Sequence, residues 1–141
     1  MKKLITTVVL TLLTLFTIAQ DFTMSIYKVE VYSYNTINEN WDIYKTSTPQ
    51  NMKLRKYGSV VAVDNQNQSN YRIGQALNSD NKDCANWMAT DKDNMDCGLQ
   101  FCIISDENHL GKMTILYVEK MLVIYYFQPE NEPNPNDKKL K

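Results

Sequence analysis

The residues able to do chemistry crowd into one stretch. From Asp83 to Ile104 the chain reads DCANWMATDKDNMDCGLQFCII, holding all three cysteines, Trp87 and aspartates at 91, 93 and 96. Three cysteines permit one intramolecular bridge and leave one thiol over. If the stretch folds as a hairpin about Lys92–Met95, facing positions have residue numbers summing to 186 or 187, and the first register sets Cys84 opposite Cys102. Facing residues of an antiparallel pair lie close enough for a disulfide, best at a non-hydrogen-bonded pair. Cys97 is five positions from Cys102 and on the opposite face, so it cannot reach Cys102 within an extended strand. A Cys84–Cys102 bridge with Cys97 free is therefore expected. The competing expectation is three reduced cysteines serving as small apolar residues.

Other chemistries find less support. Zinc sites want tight C-x-x-C spacing or several imidazoles; neither is present, and His109 is the only histidine. The same spacing argues against a redox dithiol. A helix–loop–helix calcium site needs oxygen ligands at positions one, three and five and glycine at six. Counted from Asp91, position five is Met95 and position six is Asp96, so a solvated Asp/Asn turn fits better. No serine sits in a glycine-flanked elbow, and His109 falls in DENHLGK, a turn. Four glycines leave no room for a glycine-rich phosphate loop. No metal, cofactor or catalytic constellation is expected.

The elements that position this stretch read as strands. Ser25–Tyr34 alternates with period two, setting Tyr27, Val29 and Val31 against Ile26, Lys28 and Glu30. Tyr32 and Tyr34 then fall on the Lys28/Glu30 face, where exposed tyrosines can contact a partner. Trp41–Lys45 alternates again, with Trp41 and Ile43 on one side, and Pro49 breaks the pattern. Met52–Arg55 and Val60–Val63 flank a reversal at Tyr57–Gly58, and Tyr71–Leu77 follows a polar loop. The run from Leu110 to Phe127 is rich in β-branched and aromatic residues and divides at Glu119–Lys120 into strands 111–118 and 121–127. Eight or nine short strands at regular spacing predict an all-β antiparallel sandwich or small, partly open barrel. The domain is expected over 20–127. The remainder, from Gln128 with its three prolines, is expected as a disordered polar tail.

At the other end, Lys2 and Lys3 precede an apolar run to Ile18, and Thr17-Ile18-Ala19 has the small-x-small form of a cleavage site. Residues 1–19 read as a secretory signal peptide, shorter and more threonine-diluted than a membrane span. Cleavage removes Lys2 and Lys3 and leaves 13 basic against 16 acidic side chains, a net charge of −3. Arginine occurs only at 55 and 72. That balance gives no basic surface for nucleic acid. The chain resembles small β-barrel carriers of the lipocalin type in size and strand count only, since its first strand lacks their Gly-x-Trp signature. It also lacks the Cys–Trp–Cys spacing of immunoglobulin domains.

The expectation is an exported, periplasmic or extracellular, non-enzymatic β domain. It would touch a membrane only through its export signal and serve as a protein-interaction or structural module. The alternative is a carrier of a small apolar or carbohydrate ligand in a barrel mouth, recognisable by a cavity of some hundreds of Å³.

Overall fold

A computed structural model of the chain describes residues 21–64, 68–105, 110–118 and 120–130. The expected signal peptide, His109 and residues 131–141 of the tail lie outside the described residues.

Nine strands follow one another: β1 (Phe22–Asn35), β2 (Asn40–Ser47), β3 (Met52–Tyr57), β4 (Val60–Asp64), β5 (Ser69–Leu77), β6 (Cys84–Asp91), β7 (Asp96–Ser105), β8 (Leu110–Tyr117) and β9 (Met121–Pro129). All pairings are antiparallel between sequence neighbours except two, β1–β3 and β1–β9. The second closes the sheet. Eight strands (β1 and β3 to β9) form a closed up-and-down barrel, and β2 is an extra strand on its rim. The fold is thus a closed barrel rather than a sandwich or a partly open one. Closure removes the sheet edges that an open arrangement leaves unpaired.

β1 organises the closure because it is 14 residues long. One of its edges pairs with β9 from Met24 to Ser33. The other pairs with β3 over Phe22–Ile26 and with β2 over Val29–Asn35. β2 and β3 are thus one antiparallel partner interrupted at Thr48–Asn51, where Pro49 lacks the N–H that a continuous ladder needs. Only β3 carries the sheet onward to β4, so β2 ends as an edge.

A strict period-two reading of β1 puts Ile26 on the wet face, and here the structure corrects it. Between Ile26 and Lys28 the register against β9 slips by one, so Tyr27 is an extra residue. A bulge of this kind flips the facing of everything beyond it. Ile26 is therefore interior on one side of the bulge, and Val29 and Val31 are interior on the other. At the far end, β9 runs through Gln128 and Pro129, which pair with Ser25 and Met24. These are the first two residues expected in the tail.

Inward side chains fill the barrel at the end where β1 begins. Phe101 and Phe127 stack there at 5.1 Å between centroids, with Ile26, Leu54 and Met113 all but fully buried beside them. Lys56 belongs to the same inner face and is 3% exposed, its Nζ donating to the Gly58 carbonyl at 2.9 Å. Gly58 turns the chain with φ +60, and its N–H donates to Asp21 Oδ1 at 2.9 Å. The outer wall on this flank is charged, with Arg55 and Asp64 paired at 2.8 Å.

The hairpin predicted around Lys92–Met95 is β6–β7. Cys84 faces Cys102 in the expected register and the two form a disulfide. The Ile103 N–H donates to the Asp83 carbonyl at 2.9 Å, so the cysteines form a non-hydrogen-bonded pair, the type best suited to a bridge. Cys97 is free, as expected, and the structure turns it inward, where it is buried. Trp87 is interior at 5% exposure.

Candidate functional site

The opposite end of the barrel, where β1 continues past β9 and β2 joins it, is not filled. A cup of about 470 Å³ opens there. Its two sides differ in chemistry. Val29 and Val31 of β1, Met52 of β3, and Met121 and Val123 of β9 make an apolar wall. Ser69, Asn70 and Tyr71 of β5, Asp91 at the end of β6, Tyr117 of β8 and Tyr125 of β9 make a hydroxyl-bearing one. Lys45 and Ser47 reach in from β2, and Lys92 and Asp93 from the β6–β7 turn.

The strands dictate this division. On the inner face the facing pairs Val31–Val123 and Val29–Tyr125 set β1 against β9, while Tyr71 faces Val61 on β4 and Asp91 on β6. Below this level the interior pairs are Ile26–Phe127 and Phe101–Met113, which form the packed plug. The cup thus rests on a rigid floor.

Two hydrogen-bonded groups line it. In the first, side-chain bonds join Tyr71 to Tyr125 and join Ser69 to both. Burial pushes the Tyr71 hydroxyl far above the usual tyrosine range, reinforced by the nearby Tyr125 and Tyr117. Burial likewise raises Tyr125. Both therefore stay protonated at neutral pH. In the second group, the Tyr117 hydroxyl donates to Asp91 Oδ2 at 2.7 Å. Burial, then that bond, pushes Tyr117 up as well.

Asp91 also builds the hairpin turn. Its Oδ1 accepts from the Asp93 and Met95 N–H groups at 2.9 Å each, and Asn94 takes φ 62 to complete the reversal. The Met95 bond is the largest influence holding this carboxyl below its ordinary value. Charge-assisted bonds of this kind are each worth about 1.5–3 kcal/mol. Replacing Asp91 with Ala or Asn should therefore cost about 2 kcal/mol in urea unfolding at pH 7. The contribution should also depend on pH. The folded value lies below the unfolded one of about 3.8, so Asp91's share is fully present above that pH and vanishes as pH falls through the folded value. The gap between wild type and Asp91→Ala should close on acidification; a gap that persists well below that range would show the residue acts by packing instead.

Cys97 sits in the inner layer beneath this group, facing Ala89 and in electrostatic contact with Asp91 and Tyr117. Burial, then the nearby aspartates Asp91 and Asp96, pushes its thiol up to about 11. A thiol so far above neutrality is no nucleophile. Among the described residues no three His, Cys, Asp or Glu side chains gather as a metal cage, and the Asp91 carboxylate is engaged in the turn.

Tyr32 and Tyr34, the residues expected to contact a partner, lie outside the cup on the outer face of β1. Tyr34 is half-buried and packs edge-on against Trp41 of β2 at 5.1 Å. Tyr32 is half-buried beside Leu122 and Glu30. Beyond them β2 exposes Ile43 and Tyr44. A second depression of about 330 Å³ lies between Leu77, Asn86, Gly98, Leu116 and Leu122. The carbonyl oxygen of the Asn86 side chain is buried there without a hydrogen-bond partner.

The sequence reading did not single out Tyr71, Tyr117, Tyr125 or Ser69. Alternation could have placed the three tyrosines on inward faces. What brings them to one level is the register of three strands, β5 on one side and the paired β8 and β9 on the other, and no local pattern carries that. No family model matches this chain, and no curated protein or solved structure matches it either.

Proposed function

We propose that this chain is a non-enzymatic barrel that binds a small ligand in its open mouth, acting in an oxidising compartment outside the cytoplasm. One observation carries the reading: a barrel packed solid at one end keeps a cup of about 470 Å³ at the other. Ligand pockets of a few hundred Å³ combine apolar lining with a few placed polar groups, and this cup has both. The disulfide supports the compartment, since such bonds persist where the surroundings oxidise.

The test is uptake of N-phenylnaphthylamine, a neutral probe that fluoresces in apolar surroundings. It should bind the protein and fail to bind Val31→Trp, whose indole would fill the cup beside Val123. Met121→Trp, at the more forgiving rim, should weaken uptake at least about 5-fold, guarding against a Val31 variant that merely misfolds. Uptake by both variants equal to wild type would defeat the reading.

A second reading, the protein-interaction module, rests on β2. This edge strand exposes Ile43 and Tyr44, and main-chain groups on its outer edge can add a partner strand. Binding there would leave probe uptake by the cup unchanged, so the two readings separate in one assay.

A further inference from the structure

We propose that two copies of this chain associate edge to edge through β2, antiparallel about a two-fold axis, with Asp42 of each copy facing Lys45 of the other. The proposal rests on the reading of β2 as an interaction edge and names its partner.

The first argument is the direction of the main-chain groups. Among the described residues, β2 is the strand with a neighbour on one side alone, β1. The Tyr34 N–H donates to the Lys120 carbonyl at 3.1 Å, so the main-chain groups of Tyr34 turn towards β9 and away from β2. Trp41 faces Tyr34, and its own N–H and carbonyl therefore point off the outer edge of β2. The Trp41 N–H is held there by Asn40 Oδ1 at 2.8 Å, an exposed side chain that can yield to a strand. Glu30 has the same parity in β1 as Tyr34, so Thr46, which faces it, also points its main-chain groups outward.

The second argument is facing. Lys45 pairs with Val31 and Ile43 with Tyr32, so Tyr44 is an extra residue in β2. In a regular strand Asp42 and Lys45, three positions apart, lie on opposite faces. The bulge brings them to one face. Lys45 lines the cup opposite Val31, and Asp42 faces Ser33, whose other neighbour is the cup residue Met121. Residues that oppose one another in a two-fold antiparallel pair must share a face. β2 meets that condition when the axis passes between Ile43 and Tyr44, which sets Trp41 against Thr46 and Asp42 against Lys45, each twice. Trp41 and Thr46 then exchange the outward hydrogen bonds, and Asp42 and Lys45 form the non-hydrogen-bonded pair, where side chains come closest.

The third argument is side-chain chemistry. Among the described residues, neither Asp42 nor Lys45 makes an ion pair within its own chain. Opposite charges that face each other across antiparallel strands attract, and like charges repel. Ile43 and Tyr44, 63% and 76% exposed, meet at the axis. This self-complementarity selects a second copy over the strand of another protein. A contact made by one strand of eight residues is small, so a dimer of micromolar affinity fits it.

Sedimentation velocity on the intact protein, from micromolar to submillimolar concentration, tests this. Wild type should pass from monomer to dimer. Asp42→Lys and Lys45→Asp each set like charges face to face and should each weaken association at least about 10-fold. Mixed in equal amounts, these two variants should associate as wild type does, because every facing pair is then opposite in charge. Asp42→Lys combined with Lys45→Asp in one chain keeps the net charge and should also dimerise like wild type. Thr46→Pro removes an outward N–H, leaves the β1 ladder intact and should abolish the dimer. All three positions are exposed, so the melting temperature of each variant should stay near that of wild type. Wild type that is monomeric throughout overturns the second copy and leaves the edge to a strand of another protein. A dimer indifferent to both charge reversals, or a double variant that stays monomeric, overturns the pairing. A dimer that survives Thr46→Pro unchanged associates elsewhere, and the reading of β2 as an interaction edge falls with the proposal.

Discussion

Alanine at position 111 should destabilise the protein by about 2 kcal/mol, out of proportion to a single added methyl. Gly111 lies on the inner face of β8, with Ile103 facing it from β7 and Phe127 from β9. A Cβ there would come within 2.6 Å of Phe127 Cζ and 2.9 Å of Cε2, and within 3.1 Å of the Cys102 carbonyl oxygen. The ring is not free to swing aside, because its other face stacks on Phe101 at 5.1 Å. The carbonyl is held in the β7–β8 ladder. Two effects oppose each other. Removing a glycine from the unfolded chain stabilises by about 0.4–1 kcal/mol. Overpacking a close-packed interior costs about 1–3 kcal/mol, at its upper end when a ring and a backbone oxygen must both yield. Overpacking wins, and the melting temperature should fall by roughly 10 °C or more. The partner substitution identifies the cause. Phe127→Leu removes the ring atoms that meet the new methyl and should itself cost about 2 kcal/mol. The double variant should be more stable than the sum of the two losses by at least about 1 kcal/mol. Strict additivity in urea unfolding would mean that the carbonyl, not the ring, sets the limit.

Gly111 also shows where sequence patterns stop. The nine strands, their turns and their antiparallel order were legible because alternation, Gly58, Pro49 and the Asn/Asp clusters are local signals. The Cys84–Cys102 pairing was legible for the same reason: a hairpin's register follows from its own turn. Long-range pairing was not. Closure depends on β1 finding β9, nearly a hundred residues away, and on β2 and β3 sharing one edge of β1. The bulge at Tyr27 was equally hidden, since Tyr, Lys, Val and Glu alternate as well without it as with it. One slipped residue moves Ile26 from the wet face to the core. The cup inherits both difficulties. Its tyrosines belong to β5, β8 and β9, and only closure brings β5 across from the β8–β9 hairpin. Asp91 reads in sequence as one of several acids in a solvated turn. The structure gives it a second function, because Tyr117 is brought 26 positions back to meet it.

Breaking the disulfide should be the other large effect, about 3 kcal/mol, and it should leave the cup working. The bridge joins residues 18 positions apart, and the chain-entropy model assigns a loop of that size about 3 kcal/mol. Native geometry here favours realising most of it, since the bridge spans a non-hydrogen-bonded pair already in register. Cys84→Ser with Cys102→Ser is the cleaner comparison than reduction alone, because it leaves no thiol to re-pair with Cys97. The bridge sits at the packed end of the barrel, beside the Cys102 carbonyl that crowds Gly111, whereas the cup opens at the other end. The double serine variant should therefore lose stability while its affinity for phenylnaphthylamine stays within about twofold below its melting temperature. Thiol labelling checks the assignment independently. The folded, unreduced protein at pH 8 should take up almost no iodoacetamide, because Cys97 is buried and its thiol is raised to about 11. Unfolding in denaturant without reductant should expose one reactive thiol, in the peptide containing Cys97, and reductant should release two more. A labelled Cys84 or Cys102 before reduction would contradict the bridge. Rapid labelling of Cys97 in the folded state would show that the barrel interior opens on the timescale of the reaction, and the rigid floor assigned to the cup would have to be given up.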